Sequence, residues 1–88
     1  MNKLKQVNRR EFLSHLLEGQ TVYAKPVKGR KKQTLKMTDD EDLFRWFEDT
    51  KTAKGTWTPQ MIGLIVRTQL LNWCIARENE GCSFFIEP

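Results

Sequence analysis

"PQMIGLIVRTQLLNWCIAREN", residues 59–79, is the stretch on which the fold turns. Met61, Ile62, Leu64, Ile65, Val66, Leu70, Leu71, Trp73 and Ile75 fall around nearly the whole circumference of a helical projection. A helix apolar on all sides is one that its neighbours cover. Thr58 supplies an N-cap, Pro59 suits the first helical position, and Trp57 and Ile62 have the spacing of a hydrophobic staple. "IGLIV" alone also suits a strand, but the length of the surrounding pattern favours a helix. The reading is therefore one long buried helix of about twenty residues, roughly 30 Å, ended by Gly81.

The flanking segments give the rest of the expected fold. After the helix, "CSFFIEP" reads as a short final strand. Before it, Thr38 and Glu41 form a T-x-x-E capping box that opens a helix carrying Leu43, Phe44, Trp46 and Phe47. Upstream, "TVYAK" and "QTLKM" flank a turn around Gly29 and read as a β-hairpin, with Val22 and Ala24 on one side, Tyr23 and Lys25 on the other, and Leu35 and Met37 towards the core. Asn8 and Glu11 cap a first helix whose apolar stripe is Phe12, Leu13, Leu16 and Leu17, and Gly19 ends it. The expected order is α-β-β-α-α-β: an α+β domain over residues 8–88, with a three-stranded antiparallel sheet on helices and a flexible basic arm at 1–7.

A chain of 88 residues makes one domain. Nine aromatics, three of them Trp, argue against disorder. No stretch approaches the length of a membrane span, and no apolar run follows the basic start, so neither a membrane protein nor a signal peptide is expected. Cys74 and Cys82 lack C-x-x-C spacing and His15 is the sole histidine, which points to reduced cysteines in a cytoplasmic protein without a zinc site.

The net charge of +4 is unevenly placed. Residues 1–37 hold ten Lys and Arg against Glu11 and Glu18, a balance of +8; residues 38–88 hold five against nine acids, −4. Lys25, Lys28, Arg30, Lys31, Lys32 and Lys36 gather at the hairpin. That density of cations suits a phosphate backbone, where binding releases condensed counterions. Arg9, Arg10, Lys51 and Lys54 extend the expected nucleic-acid surface. Lysines also guard edge strands against aggregation, and an unguarded edge permits a homodimer. Two alternatives stand beside nucleic acid: an inhibitor that docks on an acidic host protein through Trp46 and Phe44, and a sponge for a nucleotide-like ligand. The acids Asp39, Asp40, Glu41 and Asp42 suit a helix N-terminus and lack calcium-loop spacing. No catalytic motif stands in the chain, so no catalytic residue, metal or cofactor is expected and the protein reads as a non-enzyme.

"NRREFLSHLLEGQTVYAK", residues 8–25, resembles the start of some Thoeris anti-defence proteins: a short helix, then Glu-Gly-x-x-Val opening a strand, then basic residues. The resemblance implies a phage or prophage accessory protein and carries over no ligand site.

Overall fold

The computed structural model describes residues 3–29 and 31–88. Six strands and two helices follow one another as β1 (Lys5–Val7), α1 (Arg9–Leu17), β2 (Val22–Pro26), β3 (Gln33–Met37), β4 (Leu43–Lys51), β5 (Trp57–Val66), a 3-10 turn (Arg67–Gln69), α2 (Leu70–Asn79) and β6 (Cys82–Ile86). The strands form a single antiparallel sheet in the order β1-β6-β2-β3-β4-β5. The class is α+β, but the expected three-stranded sheet with three helices is overturned.

Two expected helices are strands. Residues 43–51 and 57–66 pair along nine positions, Leu43↔Val66 through Lys51↔Trp57. β-Branched and aromatic side chains fit a pleated surface better than a helix, where their χ1 freedom is lost. Thr38 does cap, but it caps a turn: its hydroxyl donates to the Asp40 carbonyl and accepts from the Asp40 N–H, and Asp40 Oδ1 accepts from Asp42 N–H. The four acids therefore sit in the β3–β4 connection rather than at a helix start. The long helix shrinks to residues 70–79. Its expected first half is the edge strand β5, where Pro59 lacks a neighbour to donate to and is tolerated. Met61, Ile62, Leu64 and Val66 stay exposed on this edge, which is why the stretch reads as apolar all round. Between Trp46↔Gly63 and Phe47↔Met61 the register slips by one, leaving Ile62 as the extra residue of a bulge.

The other elements follow local rules. Asn8 Oδ1 accepts from the Glu11 N–H at 2.8 Å and opens α1; Gly19, at φ +93°, lets the chain leave it. The β2–β3 hairpin forms in the expected register, and β6 lies beside it, Tyr23↔Phe85. Residues 5–7, expected as part of a free arm, pair with β6 as β1.

Both helices pack on one face of the sheet. Phe12 and Leu16 of α1 and Leu70, Trp73 and Cys74 of α2 bury against Val22, Ala24, Leu35, Phe44, Ile65, Phe84 and Ile86. Aromatic contacts tie the layers together: Phe84 to Phe12 with centroids 4.5 Å apart, Phe12 to Trp73 at 6.0 Å, and Trp73 edge-on to Trp46 at 5.9 Å. Among the described residues no helix covers the opposite face of the sheet.

Candidate nucleic-acid interface

Strand pleating sends successive side chains to opposite faces. In β2 this puts Val22 and Ala24 in the core, so Tyr23 and Lys25 point to the open face. The same alternation places Lys32, Thr34 and Lys36 there from β3, Arg45, Phe47 and Asp49 from β4, and Ser83 and Phe85 from β6.

Cross-strand pairing arranges these side chains in rows. The central row runs Gln6–Phe85–Tyr23–Thr34–Phe47–Met61, one residue from each of the six strands. From Phe85 to Phe47 it crosses three strand spacings, about 14 Å. On one side lies a row with Lys25 and Lys32, tied to Asp49 through the Asp49 N–H to Lys32 carbonyl bond of 2.9 Å. On the other lies the Lys36↔Arg45 pair. An aromatic row is thus flanked by cations on both sides.

The ammonium groups rest on the rings. Lys25 Nζ lies 5.2 Å from the Phe85 centroid, Lys32 Nζ 4.9 Å from Tyr23 and Lys36 Nζ 5.6 Å from Phe47. Each contact keeps a cation poised above an apolar surface rather than extended into water. Two shallow hollows sharing Lys32, Asp49 and Trp57 mark this face, one of about 610 Å³ towards Phe85 and one of about 280 Å³ towards Phe47. Tyr23 donates its hydroxyl hydrogen to Glu87 Oε1; burial first, then that bond and the nearby carboxylate charge, push its pKa up to about 12. The phenol therefore stays neutral throughout the physiological range. Four cations face two acids here, Asp49 and Glu87.

The cations expected to act as one hairpin cluster do not project together. Lys25, Lys32 and Lys36 lie on the open face. Lys28 and Lys31 line a cleft on the helix side, as does Lys51. Arg30 lies outside the described residues. Lys54 is exposed in the β4–β5 turn. Arg9 pairs with Glu78 at 3.4 Å, and both Arg9 and Arg10 border a groove between the helices that shares no lining residue with either surface. The expected partner anchors are displaced too. Phe44 is fully buried, and Trp46 is half-buried, with its Nε1 donating to Gln33 Oε1 at 2.7 Å. Sequence reasoning did not single out Tyr23, Phe47, Phe85 and Arg45, which the sheet brings together on this face. The period-2 alternation in β2 and β6 was the available signal: whatever faces away from Val22, Ala24, Phe84 and Ile86 must face outward.

Among the described residues no group of three or more His, Cys, Asp or Glu could hold a metal, and no helix is long and apolar enough to cross a membrane. Cys74 and Cys82 are free thiols. Set against protein-family models, curated proteins and solved structures, the chain matches none.

Proposed function

We propose that this protein is a non-enzymatic binder of single-stranded nucleic acid that works through the open face of its sheet, inside the cell. The observation that carries the reading is the aromatic row of Phe85, Tyr23 and Phe47 flanked by Lys25, Lys32, Lys36 and Arg45. Exposed rings on a sheet stack unpaired bases, while flanking cations follow the phosphates. A duplex hides its base faces and gains nothing from such rings. The row's length of about 14 Å accommodates two or three stacked bases, the number that other aromatic sheet platforms hold. The lysines already resting on the rings need only swing outward to meet phosphate.

The test is a comparison by fluorescence anisotropy of a labelled single strand, as DNA and as RNA, with the duplex of the same sequence. The single strand binds more tightly. Phe47→Ala and Phe85→Ala each weaken single-strand binding roughly 5- to 150-fold, the equivalent of about 1–3 kcal/mol per stacked base. Equal affinity for the duplex, or indifference to both substitutions, sinks the proposal.

A further inference from the structure

A second site lies on the other side of the sheet. Beyond the C-terminal end of α2 the core face is not covered, and the hairpin loop and the β4–β5 turn wall off a cleft of about 970 Å³. That is at the upper end of the range, roughly 300–1,000 Å³, typical of small-molecule sites. Trp46, Trp57 and Ile62 supply its apolar surface.

The polar part of the cleft is held in place. Gln33, 7% exposed, accepts through Oε1 from both Trp46 Nε1 (2.7 Å) and Arg77 Nη1 (3.0 Å). That double contact fixes which end of the amide is oxygen. Its Nε2 hydrogens, which lie at the other end, have no hydrogen-bond partner among the described residues. That nitrogen is not among the fully buried unpartnered atoms, so water reaches it from the cleft, and an acceptor oxygen or ring nitrogen of a ligand can take the water's place. Arg77 lies against the indoles, its Cζ 5.2 Å from the Trp46 and Trp73 centroids. Glu80 holds it from the far side, with Nη2 to Oε2 at 3.4 Å; Nε is 3.1 Å from Oε1 but not aligned for a hydrogen bond. Lys28, Lys31 and Lys51 bring three more cations, and Glu48 and Glu80 are the acids, so the lining carries a positive surplus.

The geometry points to a nucleoside phosphate as the ligand of this cleft. The base packs on the indole and Ile62 surface, one of its acceptors meets the Gln33 amide, and the phosphate meets Lys28, Lys31 and Lys51. A free nucleotide and the phosphorylated end of a strand offer the same chemistry. The site uses the helix side of the sheet and stands apart from the open-face reading, except at Pro26, Gly29 and Trp57, which border both.

The experiment titrates the intact protein with each of the four common nucleoside 5′-monophosphates and its parent nucleoside, and separately with a short oligonucleotide with and without a 5′-phosphate, following tryptophan emission. Saturable quenching is expected below about 1 mM, within reach of a ligand of this size. Gln33→Glu keeps the acceptor for Trp46 and Arg77 but removes the donor pair, and it weakens binding at least tenfold. Lys28→Gln with Lys31→Gln does the same, while Arg10→Gln, at the groove between the helices, leaves mononucleotide binding unchanged. Gln33→Glu sensitivity with monophosphates assigns the site to free nucleotides; sensitivity with the phosphorylated oligonucleotide alone assigns it to strand ends. The proposal is overturned if neither probe saturates, if nucleosides bind as well as their phosphates, or if Gln33→Glu binds like the unaltered protein.

Discussion

Replacing Lys25, Lys32 and Lys36 together with Gln separates the open face from every other basic region of the molecule. Each of these ammonium groups sits within 5.6 Å of a ring centroid on the face proposed to hold the strand. If each meets one phosphate, the slope of log affinity against log salt falls by about 0.7 per contact on a single strand, or about 2 in all. Between 50 and 200 mM salt, a fourfold change, the unaltered protein should then lose about 20-fold more affinity than the triple variant. Anisotropy titrations with a single-stranded oligonucleotide lacking terminal phosphates measure this, since the helix-side cleft then has no terminal phosphate to claim. Losing the three ring contacts costs roughly 1.5–3 kcal/mol of stability at most, at about 0.5–1 each, so circular dichroism should still show a folded protein. The comparison variant is Arg9→Gln with Arg10→Gln, whose positions border the inter-helix groove. An unchanged slope in the triple variant, or an equal drop in the Arg9/Arg10 variant, refutes the reasoning.

Two further outcomes concern the scaffold. Phe44→Ala should lower stability by about 3–5 kcal/mol, read from urea unfolding, because the ring is fully buried; a change under about 0.5 kcal/mol would return Phe44 to the surface role expected from sequence. Stability should also fall in alkali. Burial, with the nearby Glu78 charge, pushes the Cys74 thiol from 9.0 up to about 12, and Tyr23 rises from 10.0 to about 12. The native state holds both protons more tightly, so unfolding releases them. Their contribution is intact below about pH 9 and is lost progressively as pH climbs from there towards 12. Urea midpoints taken between neutral pH and about pH 11 should show that decline, and Cys74→Ala with Tyr23→Phe should flatten it. A decline of the same size in the double variant counts against this origin.

What could be read locally was read well. The Asn8 cap, the Gly19 exit and the alternation of β2 and β3 are each decided by residues a few positions apart, and the structure has them. The middle of the chain needed information that no short window holds. The T-x-x-E pattern at 38–41 stabilises a turn as readily as a helix start, because the same hydroxyl-to-backbone bonds serve both. β5 hides its alternation because it is an edge strand with apolar side chains left exposed, and because the bulge at Ile62 shifts its phase. The expected grouping of the hairpin cations breaks up for a related reason. Lys28, Lys31 and Lys32 are neighbours in sequence, but the hairpin delivers the first two to one side and the third to the other. Clustering along the chain therefore overstated clustering in space, and the aromatic partners were recruited from β4 and β6, far away in sequence.

The six-strand row also sets how freely this protein can change. Positions 23, 25, 32, 36, 45, 47 and 85 meet the outside, while 22, 24, 35, 44, 84 and 86 hold the interior, and the two sets alternate along the strands. Point substitutions in the outer set can change the chemistry of the open face while the interior stays intact. Deleting or inserting a single residue in β2, β3 or β6 swaps the two sets beyond that point, and would turn lysines inward and leucine or valine outward. A library built on these strands would therefore tolerate wide variation in spelling and almost none in length.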